Sequence, residues 1–267
     1  MRHWLAGLLC ALCLTPAAGA ETRPPSHCHA IAEAARIIPA AARTPPAEGR
    51  VRISFVGHAM LLIETPDGLS AVTDYAGYLG ARDHVPDVAT MNNAHRTHWT
   101  DTPDPRIPHV LRGWATGGQA AAHDLDLGGM RVRNVPTDVR SGGGVRPDGN
   151  SIFVFEAAGL CIGHLGHLHH EPDDAQYAAI GRLDVVMVPV DGGYTLDLPT
   201  MMQIVSRLRS SVVIPMHWFS DEALGIFLAG MADDFDVVET GLPSIEIGLN
   251  DLPGRPTILV LTPALLD

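Results

Sequence analysis

Short apolar runs that end in histidine recur along this chain, and that repetition constrains its fold more than any other feature. Val51, Ile53 and Phe55 alternate with smaller or polar neighbours before Gly57-His58-Ala59. Leu160-Cys161-Ile162 runs into His164, His167, His169 and His170, and Val212-Val213-Ile214-Pro215-Met216 closes on His217. Period-two alternation and short apolar runs bounded by Gly or Pro are strand signals. Imidazoles gathered from separate strand ends converge on one edge of a sheet, which is how a rigid scaffold builds a metal site. A further pair, His95 and His98, lies in the polar stretch from Asn92 to His98, after another predicted strand. Neutral imidazole is the commonest protein ligand for zinc and also suits iron, copper and nickel. The chain therefore reads as a metalloprotein.

Around these runs the pattern is a strand meander followed by alternating strands and helices. Pro66-Asp67-Gly68 predicts a hairpin turn between strands at 60–64 and 70–74. Residues 77–125, with Trp99, Asp101, Pro103, Pro105 and Trp114, read as an irregular active-site loop system. Strands are predicted at 130–135, 151–156 and 160–162, with a Gly-rich turn at 141–144. Helices at 172–181 and 199–209, strands at 184–190 and 211–216, and a helix capped by Ser220 follow. That succession predicts two sheets flanked by helices.

The N-terminus reads as a targeting segment. Arg2, the apolar stretch 5–14 and Ala18-Gly19-Ala20 define a signal peptide over residues 1–20, cleaved before Glu21. Its apolar stretch is too short to span a bilayer, and no other segment approaches the roughly 20 apolar residues of a membrane helix. An exported protein is expected, in the periplasm first and secreted as the alternative, with no membrane insertion of the mature chain. Residues 21–49, rich in Pro and Ala, form an arm with one short helix near 30–36, and residues 50–267 form a single domain. A formal charge of −12, with every one of the 18 basic residues an arginine, argues against nucleic acid and anionic membrane as partners. Cys10 and Cys13 leave with the signal. Cys28 and Cys161 either pair in an oxidising compartment or stand as a tail thiol and a small buried hydrophobe.

Four segments occur in a telling order: Ile53-Ser54-Phe55-Val56-Gly57-His58-Ala59, Ala71 to Asp74, Val188-Pro189-Val190-Asp191-Gly192-Gly193-Tyr194-Thr195, and Pro215-Met216-His217. Together they resemble the metallo-β-lactamase-fold hydrolases, and within them the branch of the ascorbate-lactone hydrolases, from Ile53 to Phe219. The resemblance implies an α+β fold, an αββα sandwich of two mixed sheets flanked by helices, and metal-dependent hydrolysis. The ligand motif departs from the family's. HxHxDH is represented by Asn93-Ala94-His95-Arg96-Thr97-His98, so Asn93 replaces a histidine and Thr97 replaces the aspartate that in the family binds a second metal and orients water. HLGDLGH is represented by His164-Leu165-Gly166-His167-Leu168-His169-His170, with His167 in place of a bridging carboxylate. Thr137 and Asp138 stand where the family places another histidine.

The expected metal ligands are His95, His98, His167 and His217, with His164, His169, His170 and Asp138 in reserve. Zinc is the expected ion, one rather than two, while iron, manganese and copper suit the same ligand types. Asp74, Asp138 or a cluster histidine takes the base role. His58, Asn93 and Trp99 are assigned to the substrate, although His58 reads equally as a residue that only holds a loop carbonyl, and Asp74 equally as a turn cap. Water acidified to a pKa of about 7 on the metal would attack a small ester, lactone, amide or phosphodiester. Two other readings stand beside this one: a metal-binding protein with a degenerate, non-hydrolytic site, and an iron or copper redox enzyme on the same fold.

Overall fold

The computed structural model describes Cys28, residues 38–39, 44–81 and 83–266. The predicted signal peptide and the arm helix lie outside those residues. The described strands are β1 (Ile38–Pro39), β2 (Arg50–Gly57), β3 (Met60–Glu64), β4 (Ser70–Val72), β5 (Val88–Met91), β6 (His109–Arg112), β7 (Asp124–Asp126) and β8 (Met130–Ser141). They continue as β9 (Gly144–Ala157), β10 (Leu160–His164), β11 (Val185–Pro189), β12 (Val212–Met216), β13 (Asp236–Glu239), β14 (Ser244–Gly248) and β15 (Thr257–Val260). The helices are α1 (Asp174–Ile180), α2 (Leu198–Leu208) and α3 (Asp221–Met231). Two mixed sheets result, ordered β1-β14-β2-β3-β4-β5-β6 and β13-β15-β12-β11-β10-β9-β8-β7. In the first, β4, β5 and β6 run parallel, and in the second β10, β11, β12, β15 and β13 do.

Alternation along each strand sorts side chains into separate cores. Ile53, Phe55, Leu61 and Ile63 of the first sheet meet Phe153, Phe155, Val185, Met187 and Ile214 of the second in the central core. The alternate residues Ile152, Val154, Val186, Val188 and Val213 face outward and are covered by Met201, Ile204 and Val205 of α2 and by Phe227 and Met231 of α3. On the far side, Val56, Leu62, Val72, Ala89 and Met91 are covered by loop residues Tyr75, Leu79 and Ile107. All three described helices therefore lie on the second sheet, and loops cover the outer face of the first.

Residues 77–125 are more ordered than their sequence predicts, because they contain β5, β6 and β7. Val88–Met91 is buried along its whole length, so it shows no alternation to read. β8 and β9 extend well past the predicted strands into a long hairpin closed at Ser141–Gly144. β4 ends at Val72, which leaves Asp74 in the turn beyond it. Cys28 and Cys161 form a disulfide across 133 residues, and both are fully buried in the helix-side core. The bridge ties Cys28 to β10, the strand that ends in His164. Among the described residues no helix is long and apolar enough to cross a membrane.

Candidate metal centre

The two sheets contribute equally to one rim. His58 follows β2, Asp74 follows β4, and His95 and His98 follow β5, while His167 and His169 follow β10, Asp191 follows β11 and His217 follows β12. Main-chain hydrogen bonds join the sheets there: His217 N–H donates to His58 O (2.8 Å), Ser151 N–H to Asn92 O (3.1 Å), and Ala115 N–H to Asp148 O (2.8 Å). A register shift between Phe55 and Gly57 bends the end of β2 and aims His58 at the rim. His58, Asp74 and His217 all have positive φ, at 54°, 45° and 58°. Such backbone costs a residue with a Cβ about 1 kcal/mol or more, and it persists where surrounding contacts hold it. Gly166 is required by its turn: at φ +62° an added Cβ would lie 2.4 Å from Asn92 Nδ2. That close approach lets Asn150 Oδ1 accept from His167 N–H at 3.0 Å.

The rings pack against one another across the rim, most of them tilted and His98 stacked on His217. His58 lies 4.1 Å from His217 between centroids, His98 lies 4.5 Å from His167 and 4.9 Å from His217, and His167 lies 4.7 Å from His169. His95 is exposed and stacks on His167 at 5.3 Å. Two carboxylates stand behind the rings. His98 Nδ1 is 2.7 Å from Asp74 Oδ2, and His217 Nδ1 is 2.9 Å from Asp191 Oδ2. A neutral imidazole that donates from Nδ1 carries a lone pair on Nε2. The two Nε2 atoms face each other at 3.0 Å, and a ligand atom of His58 joins them within 4.8 Å. Two lone pairs directed at one point are stabilised by a cation, and imidazole backed by carboxylate is the usual arrangement of metal-ligating histidine. The donor set therefore fits a metal ion held by His98, His217 and His58, with His167 adjoining.

Protonation agrees with that assignment. Burial, reinforced by neighbouring imidazoles, lowers His98 and His167 to about 2 and His58 to about 3, so all three rings are neutral at ordinary pH. Burial also raises Asp74 to about 6, against the opposing pull of His164 and of the Asn92 N–H that it accepts at 2.8 Å. Burial acts to raise Asp191 as well, but hydrogen bonds from His217 and from Thr195 and Gly193 outweigh it and hold that carboxyl below the usual carboxylate range.

Several residues predicted for the site have other work. His164 is fully buried with both nitrogens engaged: Nε2 donates to Ala59 O (2.9 Å), while Nδ1 accepts from Asn92 Nδ2 (3.1 Å) and Gly166 N–H (3.2 Å). It holds the fold and offers no lone pair to a metal. Asp138 sits at the irregularity between Thr137 and Val139, and its Oδ1 accepts from Asp148 N–H at 3.0 Å, which places it in the β8–β9 hairpin. Asp74 has both oxygens occupied, by Asn92 N–H and by His98, so it positions His98. Asn93 Oδ1 accepts from Arg146 at 2.9 Å. Trp99 packs edge-on against Trp114 at 5.6 Å, over the outer core of the first sheet. His170 has a buried Nε2 without a protein partner and makes none of the ring contacts that join the other histidines.

Three residues at the rim were not assigned from sequence. Asp191 is one; an Asp before two glycines signals an Asx turn, and its Oδ1 accepts from the N–H groups of Gly193 (2.9 Å), Tyr194 (2.6 Å) and Thr195 (3.0 Å). Its second role, behind His217, depends on tertiary contact. Phe219 and Tyr194 are the others. Phe219 lies 5.4 Å from His58 and 5.3 Å from both His217 and Tyr194, and the two aromatic residues are 61% and 72% exposed. Exposed aromatics beside a polar cluster mark a contact surface.

A sandwich of two mixed sheets with carboxylate-backed imidazoles converging from both sheets defines a metallo-β-lactamase-like centre. The chain belongs to the Beta-lactamase superfamily domain family, which it matches over residues 52–217. Its relatives include a protein of Methanosphaerula palustris named UPF0173 metal-dependent hydrolase, 25% identical over 185 residues that cover 63% of this chain and 84% of the relative. One of the same name from Anaeromyxobacter sp. is 24% identical over 258 residues, covering 80% of this chain and 89% of its own. Among solved structures, a metallo-β-lactamase superfamily protein of Thermotoga maritima shares the fold with a TM-score of 0.58 at 24% identity, covering 79% of this chain and 98% of that one.

Proposed function

We propose that the protein is an exported metal-dependent hydrolase that holds one divalent cation, zinc before iron, manganese or copper, and cleaves a small ester, lactone, amide or phosphodiester. The observation that carries this reading is the pair of Nε2 atoms of His98 and His217, 3.0 Å apart, each on a ring whose Nδ1 is backed by a carboxylate. His58 and His167 complete the ring around that point. A cation bound there supplies a Lewis acid to a carbonyl or phosphoryl oxygen and to water. The protein's own groups do the rest. Asp74 and Asp191 fix the tautomers of His98 and His217, and burial keeps the rings neutral. Because Asp74 is buried behind His98 and Asp138 belongs to the hairpin, proton acceptance falls to His95, an exposed ring stacked on His167. Phe219 and Tyr194 contact the apolar part of the substrate. The resemblance to the ascorbate-lactone branch puts lactones and esters first among the substrates. The buried Cys28–Cys161 bridge supports export, because structural disulfides persist in oxidising compartments.

Elemental analysis of untagged protein purified from the exported fraction tests the reading. Near-stoichiometric zinc is expected, lost in His98→Ala and His217→Ala, together with chelator-sensitive hydrolysis of a panel of esters, lactones and phosphodiesters. Iron or copper without turnover of the panel favours the redox reading. Protein that carries no metal, or hydrolysis indifferent to chelator and to both variants, overturns the proposal.

A further inference from the structure

The tautomers divide the histidine cluster into two chemistries. His98 gives its Nδ1–H to Asp74, His217 Nδ1 lies 2.9 Å from Asp191 Oδ2, and the two rings face each other through Nε2. His169 is wired the other way. Its Nδ1 accepts the backbone N–H of Arg140 at 2.8 Å, so its neutral ring carries the proton on Nε2. That Nε2 is buried and has no acceptor in the protein, and the residue as a whole is only 9% exposed. A buried donor without an acceptor is costly, and such groups in native proteins call for a function. The ring lies 4.7 Å from His167, which lies 4.5 Å from His98, so one ring separates this donor from His98.

The surroundings are cationic. Arg140 and Arg146 sit at the same end of the β8–β9 hairpin, where Arg140 pairs with Val145 and Val139 with Arg146. Arg140 donates to the carbonyls of Gly193, Tyr194 and Thr195, and Arg146 to Asn93 Oδ1 (2.9 Å) and Gly149 O (3.5 Å). Carbonyl and amide oxygens carry no net charge, and among the described residues neither guanidinium has a carboxylate partner. In a chain of formal charge −12, two cations without a carboxylate at ion-pair distance are a local feature, with Asp197 acting on Arg140 only at longer range. We propose that His169 Nε2–H, flanked by Arg140 and Arg146, recognises a negatively charged oxygen of the substrate, a carboxylate or phosphoryl group next to the bond that is cleaved. The position of that group relative to the cleaved bond rests on the hydrolase reading; the binding of an anion does not.

Isothermal titration with benzoate and with phenyl phosphate tests this on the full mature protein as purified, with its metal content measured in parallel. Saturable binding of one of the two is expected, and which one binds separates carboxylate from phosphoryl recognition. His169→Phe, which keeps the ring's bulk and removes the donor, should weaken that binding at least about tenfold, or ~1.4 kcal/mol, at unchanged metal content. Arg146→Gln, on an exposed side chain, should weaken it by a smaller factor. Binding of neither anion, or equal affinity in wild type and both variants, overturns the proposal, the latter by placing the anion on the metal itself. Loss of metal in His169→Phe also overturns it, by making His169 a ligand. If His169→Phe does not fold, unchanged affinity in Arg146→Gln is decisive against it. Anion binding that depends on His169 in a protein that hydrolyses nothing supports the subsite and removes only the hydrolase reading.

Discussion

Asp191→Asn changes one atom of a side chain that serves both the rim and its loop. The carboxylate accepts four hydrogens, three backbone N–H groups on Oδ1 and the Thr195 hydroxyl (2.6 Å) on Oδ2, and the same Oδ2 lies 2.9 Å from His217 Nδ1. Asparagine retains the carbonyl oxygen for the three N–H groups, so the turn from Gly192 to Thr195 survives. The amide nitrogen then replaces Oδ2. The Thr195 hydroxyl can rotate and accept from it, whereas His217 Nδ1–H meets another donor. The ring resolves that conflict by moving its proton to Nε2, which removes the lone pair facing His98. Loss of a second partner behind a metal-ligating histidine typically costs about 10- to 100-fold in metal affinity, equivalent to ~1.4–2.8 kcal/mol. The metal-free protein should lose less, about 1 kcal/mol, because one hydrogen bond is exchanged and no cavity forms. Zinc affinity measured by chelator competition, with thermal unfolding in excess chelator as the control for folding, checks both magnitudes. A folded Asp191→Asn protein that binds zinc as tightly as wild type refutes the tautomer argument.

Three further outcomes follow from features away from that contact. His164→Ala should lower stability by ~2–4 kcal/mol, since it opens a buried space and orphans its three hydrogen-bond partners, while any protein that remains folded binds metal; urea titration beside metal analysis separates it from His98→Ala, which should lose metal instead. Reduction of the Cys28–Cys161 bridge, or its replacement by two serines, should cost ~2–5 kcal/mol, seen as a lower denaturant midpoint with reductant than without. Ala158 and Gly159 both have positive φ, at 50° and 79°, in the turn between β9 and β10. Ala158→Asn, better suited to that turn, should raise stability by ~0.5 kcal/mol, and an unchanged or lower melting temperature would count against that assignment.

The strands that carry the site were readable because each ends in a break: Gly57 at the end of β2, Gly163-His164 at the end of β10 and His217 after β12. Apolar runs such as Val185–Pro189 and Val212–Met216 announced strands covered on both faces, and Ser220 announced the start of α3. The short strands β5, β6 and β7 were hidden among Pro and Gly because they are three or four residues long and lie against neighbours distant in sequence. At the rim, residue type revealed the histidines but not their wiring. His164 and His169 look alike in sequence, yet one has both nitrogens bonded to the protein and the other leaves a donor without an acceptor. Only the tertiary fold decides which nitrogen holds the proton, and so which ring can ligate. Asp191 was legible as a turn residue and illegible as the partner of His217, because the strand pairing of β11 with β12 brings them together.

The main-chain bonds that join the two sheets at this rim make it the seam of the sandwich. His217 N–H to His58 O, Ser151 N–H to Asn92 O and Ala115 N–H to Asp148 O each span the gap between the sheets. Parting the sheets at the rim therefore requires breaking the same bonds that hold His58 and His217 in their left-handed turns. Those three amides are built-in gauges of how often the sandwich breathes, and their exchange with solvent deuterium reports the opening of the centre directly.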